Sequence, residues 1–443
     1  MNVYEPYISI NKKLVRGDTV LFSQIGGNGS TPSVLRDYDK VLSYPRIGIY
    51  TGKGTSHSWL WFVDLFDRFG FYDIALLDED HIKTDGLHDL DVLAMSGGDT
   101  FAIAEGLGEK GAGELESFIR NGGLYVGSCA GAYLPLNSSK THLNLFNYVD
   151  AKIANLTQDV PEARAWSEKF CTPYGCSFIF HPVREAVRLT TNGFIPFKGV
   201  ESLLAPLYGG PPMVPSDPSH ALATYSGFTD KTFFLVDQGL ARDTLLGKAA
   251  VIRKKMGAGH LDLFGPHFEH PHFPVANQLL ANTIYWDVQR EGPAAKESDG
   301  KKHMVVAGGE AKGLLRDIKR EISNSRIVAA GLELMPVSWT IGNKVYEPTK
   351  IRVFIEAIWL RIKALERADR IEVLPGKNDL IVQSASEVRV LLRELRRDID
   401  GGINTLNRAK RVFEVLNKTC SIFLEMYFMT RMSQFNGENE ATV

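Results

Sequence analysis

Cys129 stands where a nucleophile would stand. The run Gly123-Leu124-Tyr125-Val126-Gly127-Ser128 has strand character and ends in small residues; the cysteine follows, and Ala130-Gly131-Ala132-Tyr133 opens a helix. A sharp strand-to-helix turn of this composition is a nucleophile elbow with Cys in the place of serine, because Gly and Ala leave room for a strained backbone at the rim of a sheet. The first helical amides and the helix dipole favour a thiolate, and a neighbouring imidazole strengthens that preference. The Ala130 N–H points where an oxyanion forms during acyl transfer. The plainer alternative is a small buried hydrophobe in a tight turn, and what separates the two is a base and a second oxyanion donor elsewhere in the chain.

Candidates for both exist. A strand over Gly259–Phe264 ends at Gly265-Pro266, which turns His267 and Glu269 onto a loop with Phe268 packed between them. His267 is placed to take the thiol proton, and Glu269 to accept from the other ring nitrogen and fix the tautomer. His267, His270 and His272 also offer a metal set, but no carboxylate or cysteine cluster stands beside them at ligand spacing. The acid–base reading is therefore preferred, with no metal and no cofactor called for. One strand before the elbow, Ser96-Gly97-Gly98-Asp99 places a Gly pair where a backbone N–H can approach an oxyanion closely; a helix-entry turn is the competing use.

These residues need a frame. A strand begins at Arg46–Tyr50, and a helix follows from Ser56, its expected cap, to Phe69, with Trp59, Trp61, Phe62, Leu65, Phe66 and Phe69 on a broad apolar face. Strands over 72–77 and 91–95, a helical segment from Phe101 and a helix after Gly111 then lead to the elbow strand. Regular strand–helix alternation implies a parallel sheet with right-handed crossovers and a ligand site at the carboxyl ends of its strands. The loop Gly52-Lys53-Gly54 reaches the same rim, without the spacing of a phosphate-binding loop. The middle, 134–245, is less regular; strands over 221–225 and 232–236 extend the sheet antiparallel, and His181 and Glu201 read as surface residues.

A chain of 443 residues with net charge −2 and mean hydropathy −0.11 has ample core and no polyelectrolyte field, which argues against nucleic acid. No apolar run reaches the roughly 18 residues of a membrane span. The start Met1-Asn2-Val3-Tyr4-Glu5-Pro6 lacks a signal-peptide pattern, and four cysteines make no disulfide framework, so a cytoplasmic protein is expected. Cys171 and Cys176 read as two isolated loop thiols. The expected division is an N-terminal extension over 1–44, an α/β domain over 45–290, a polar linker over 291–303 and a helical domain over 304–443. In the last, apolar stripes over 310–330, 350–368, 386–399 and 403–432 predict a helical-bundle core, with Trp339, Tyr346 and Glu347 in a connecting loop. Arg389, Arg393, Arg396 and Arg397 form a basic stripe that reads first as a solvated face and second as a docking site for an anionic partner.

The cysteine elbow, the Gly pair one strand earlier and the His-x-Glu exit together resemble the class I glutamine amidotransferase-like superfamily. Tyr50–Ser56, Ser96–Asp99, Gly127–Tyr133, Tyr208-Gly209-Gly210 and Phe264–Glu269 look most like its biotin-protein-ligase N-terminal-like family, over roughly residues 45–290. The resemblance implies a flavodoxin-like three-layer sandwich with a mostly parallel sheet, Cys129 as nucleophile, His267 as base, Glu269 as orienter, and Gly98 and Ala130 as oxyanion donors. It places Gly52, Lys53, Gly54, Gly97, Tyr133, Tyr208 and Gly209 around the substrate. Tyr133 departs from the glutamine of true glutaminases and Phe268 from their proline, and no biotinylation motif follows residue 300. The function expected is a cysteine-dependent amide-bond hydrolase or amidotransferase-like protein acting on a small carboxamide or acyl substrate, with a protein partner through the helical domain. The alternatives are a ligand-binding or regulatory module that keeps the fold, and a glutaminase subunit supplying ammonia to a partner synthetase.

Overall fold

The computed structural model describes residues 3–25, 40–156, 181–288, 304–368, 370–373 and 376–440. Cys171, Cys176 and the whole of the expected linker lie outside them. The chain divides into two compact units, residues 1–71 with 77–294, and residues 72–76 with 295–443.

The first unit is α/β. In chain order it contains α1 (Glu5–Val15), β1 (Ile47–Tyr50), α2 (Trp59–Phe69), β2 (Ile74–Leu77), most of which is counted with the second unit, α3 (Glu79–Lys83), β3 (Val92–Met95), α4 (Thr100–Arg120), β4 (Leu124–Ser128) and α5 (Ala130–Tyr133). Then come β5 (Ala151–Ile153), β6 (Val183–Thr191), β7 (Ser202–Leu207), β8 (Met213–Pro215), β9 (Ala221–Phe228), β10 (Phe233–Phe234), α6 (Gln238–Leu245), β11 (Ala249–Met256), β12 (Gly259–Phe264) and α7 (Pro274–Asp287). The neighbours β12-β4-β3-β1 are all parallel, which is the flavodoxin-like core. On its other side β12 pairs antiparallel with β11, and β9, β6 and β7 continue from there as an antiparallel wing. β1, β3 and β4 are buried along their whole length, as strands covered on both faces must be.

α2 starts at Trp59 rather than at Ser56. The Ser56 hydroxyl instead donates to the Gly97 carbonyl at 3.1 Å and holds a loop, not a helix end. The helix stops where Gly70 takes a left-handed φ of 78°. The two helical pieces expected between Phe101 and Ile119 are both present and follow one another as α4 across a kink at Gly108, where the backbone leaves helical geometry; the Asp99 carboxylate caps the first, accepting from the Phe101 and Ala102 amides. The first residues belong to this unit's core: Asn11 Nδ2 donates to the Phe69 carbonyl at 2.8 Å, Tyr285 donates to Asn11 Oδ1 at 2.8 Å, and Tyr7 packs edge-on against Phe69.

The second unit carries the expected helices as α8 (Gly308–Leu332), α9 (Pro348–Leu365), α10 (Lys377–Asp400) and α11 (Leu406–Glu440). Ile318, Ile322, Ile355, Ile358, Leu392, Leu395, Leu416 and Phe423 are buried in the bundle core. Two small pairings were not expected. Met304–Ala307 and Arg370–Val373 run antiparallel, and the presumed loop around Trp339 is a hairpin of Trp339–Ile341 with Lys344–Tyr346. Of the basic stripe, Arg389 pairs with Glu321 at 2.5 Å and Arg396 with Asp400 at 3.0 Å. No helix among the described residues is long and apolar enough to cross a membrane.

Candidate active site

β4 brings Cys129 to the carboxyl rim of the parallel core. The Cys129 amide donates to the Phe264 carbonyl at 3.0 Å and extends the ladder between β4 and β12 by one bond. The backbone then breaks sharply: Cys129 has φ 52° and ψ −106°, a strained conformation for a residue with a side chain, at a cost of order 1–3 kcal/mol. Small neighbours hold it there. A Cβ on Gly131 would sit 2.1 Å from the Met95 carbonyl oxygen, and one on Gly127 2.4 Å from that of Gly131. α5 is a single turn of four residues, so its dipole adds little to the thiolate, and the imidazole becomes the main source of positive charge.

That imidazole is His267. Its Nδ1 lies 2.6 Å from Glu269 Oε1, and both side chains are buried, at 3% and 0% exposure. Phe268 between them is fully buried against Phe264 and Phe197. Asn277, in the first turn of α7, pins the loop by donating to the carbonyls of Phe268 at 2.6 Å and His270 at 3.1 Å. Burial by itself disfavours a charged His267 ring. The charges of Glu269 and Cys129, with hydrogen bonds to both, override it and lift the ring to about 10.

Gly97 touches both groups: a Cβ there would lie 3.0 Å from His267 Cε1 and 3.5 Å from Cys129 Cβ. Next to it, Gly98 faces Thr55 across a short antiparallel bridge whose bonds are Ser56 N to Gly97 O at 3.1 Å and Asp99 N to Gly54 O at 2.8 Å. That pattern leaves the Gly98 amide out of the ladder. Neither it nor the Ala130 amide donates to a described protein group. Only glycine fits at 98, since a Cβ would lie 2.1 Å from the Gly54 oxygen.

The remaining expected pocket residues divide. Gly54 braces Gly98 from behind. Gly52 is packed against Glu79 and Tyr50, and the Lys53 ammonium is committed to Glu105 at 3.0 Å on the exposed flank of α4. Tyr133 is buried and bonded to the fully buried Asn155, whose Nδ2 donates to the phenol oxygen at 3.1 Å. Tyr208 does reach the thiol: its carbonyl lies 3.9 Å from Cys129 Sγ. Its phenol, pushed up by burial and by its bond to Glu185, stays neutral and donates to that carboxylate at 2.9 Å. Glu185 itself has φ 70°, a second strained residue at this end of the sheet. Gly209, at φ 98°, leaves room for the ring of His181, which is buried rather than on the surface.

Three neighbours were not legible as such. Trp61 stands edge-on to His267, centroids 4.9 Å apart, and packs on His270 at 4.6 Å. With Tyr208 and His57 it makes an aromatic wall. Trp61, Asp64 and Arg68 form the least buried stripe of α2, so an indole on the polar side was the available signal. The third is Ser128, whose hydroxyl lies within 3.0 Å of both Glu269 oxygens.

Burial, with the charges of His267, His272 and Arg68, pushes His270 down to about 3 from 6.5. The folded protein therefore resists a proton that the unfolded chain accepts. The stability held by neutral His270 is complete above pH 6.5 and is lost as pH falls from there towards 3. His270→Phe keeps a ring and removes the titration. It is expected to lose less stability than the wild type between about pH 7 and about pH 4.5 in urea denaturation; equal losses would refute this.

A parallel α/β core that ends β4 in a cysteine at a Gly-lined rim defines the class by architecture, a flavodoxin-like α/β domain. Residues 46–144 match the family described as biotin-protein ligase, N terminal, a segment that includes Gly98 and Cys129 and ends before His267. Among solved structures, the chain is similar to a ThuA-like protein from Bacteroides uniformis, at 15% identity over 59% of this chain and 96% of that one, TM-score 0.32. It is similar also to β-galactosidases from Bacillus circulans sp. alkalophilus (10% identity, 57% of this chain, 32% of that one, TM-score 0.28) and Rahnella sp. (11%, 62%, 39%, TM-score 0.31). The match thus spans about a third of the β-galactosidases' length. No curated protein matches.

Proposed function

We propose that the protein is a cysteine-dependent hydrolase or transferase acting on a small carboxamide or acyl substrate. The observation that carries this reading is the convergence of a strained cysteine with a buried His267–Glu269 pair. The Cys129 sulfur attacks the carbonyl carbon, and the Gly98 and Ala130 amides receive the oxyanion. His267 gives its proton to the departing amine, and a thioester remains on Cys129. Water, deprotonated by His267, or a second nucleophile then releases the acyl group and restores the thiol. Glu269 accepts from His267 Nδ1–H and holds the ring throughout.

A panel of chloroacetamides and activated esters tests it, with adducts located by peptide mass spectrometry. Labelling is expected at Cys129 and not in Cys129→Ala, and turnover of any ester that labels should disappear in the same variant. Turnover that survives Cys129→Ala rejects the reading. The sequestering alternative has one observation in its favour: the thiol is only 4% exposed, with Tyr133 where a glutaminase has glutamine. A Cys129 inert to the whole panel would select that alternative.

A further inference from the structure

One polar side chain at the site has no part in the chemistry above. Ser128 is the last residue of β4, 1% exposed, and pairs in register with Phe264, the strand end from which the His267 loop departs. Its Oγ lies 3.0 Å and 2.9 Å from the two Glu269 oxygens and 3.3 Å from His267 Nδ1. Glu269 is fully buried, and among the described residues its carboxylate has two donors only, His267 Nδ1–H and the Ser128 hydroxyl. The hydroxyl has one proton, and the carboxylate is the group that can take it.

We propose that Ser128 is a positioning residue: its hydroxyl anchors the Glu269 carboxylate in line with His267, and through it holds the imidazole cationic against the Cys129 sulfur. This rests on the active-site reading above. A buried carboxylate left with a single donor is a stronger base, and the proton it would take is the one on His267 Nδ1. His267 and Glu269 then become neutral together, and the sulfur loses its counter-charge. Size is not the point, because the effect follows the O–H and not the volume at 128.

The test needs no substrate. The full chain is alkylated with iodoacetamide over a range of pH, and the Cys129 peptide is quantified by mass spectrometry, which separates it from the other three cysteines. In Ser128→Ala the pH midpoint of Cys129 alkylation is expected to rise by about one unit, a roughly tenfold slower reaction below the midpoint. Ser128→Thr, which keeps the hydroxyl, is expected to retain the wild-type midpoint. Ser128→Val, of the same shape without it, should shift like Ala and settles the matter should Ala fold poorly. A low wild-type midpoint that Ala and Val leave unchanged overturns the role of Ser128 alone, as does an equal shift in Thr and Val. A wild-type midpoint at the free-thiol value of about 8.5 overturns the active-site reading itself, and this inference with it.

Discussion

Replacing His267 by alanine slows acylation of Cys129 by an activated ester about a thousandfold at neutral pH, the range expected when a positioned acid–base group is removed. The size follows from where the ring sits. Its side chain is 3% exposed, with no room for bulk water to take over its proton, and α5 is too short to stabilise a thiolate in its place. Of the neighbouring groups, His270 is held neutral, the Tyr208 phenol is engaged by Glu185, and Lys53 is paired with Glu105. Stopped-flow acylation checks the prediction, with circular dichroism to show that the variant is folded. A rate within tenfold of wild type would remove His267 from the chemistry.

The second large effect is on stability. Gly210→Ala is expected to lose about 3 kcal/mol or more, because the added Cβ would lie 1.7 Å from the Gly265 carbonyl oxygen. Both partners are backbone, so neither can swing aside. One loop carries Tyr208 and the other leads to His267, so the same substitution should also weaken labelling of Cys129. Gly113→Ala is the matching control: this glycine lies within α4, exposed, with nothing within 4 Å of an added Cβ. It is expected to gain up to about 1 kcal/mol. Urea denaturation measures both, and a Gly210→Ala variant within about 0.5 kcal/mol of wild type would mean that the two loops part easily.

The frame was readable because it is written in short-range periodicity. Alternating apolar runs and helical stripes between Arg46 and Ser128 name the parallel strands, and the types and order of Cys129, His267 and Glu269 suggest who meets whom. What escaped was set by distance. Ser128 meets Glu269 across 141 positions, and Trp61 meets His267 only because α2 turns its polar stripe towards the rim. Lys53 reads as a rim cation until Glu105, 52 positions later on α4, claims it. Ser56 has the chemistry of a cap, but the helix begins only at Trp59, out of its reach, and its hydroxyl donates to the Gly97 carbonyl instead. The hairpin at Trp339 hides because three-residue strands carry too little alternation to be seen.

β12 has a parallel neighbour on one side and an antiparallel neighbour on the other. The sulfur is thus carried by the repeating half of the sheet, the imidazole leaves from the seam, and the Tyr208 wall comes from the wing. Such a division lets the wing be rewritten, and with it what the mouth admits, while the reacting pair rides on a scaffold that those changes leave alone.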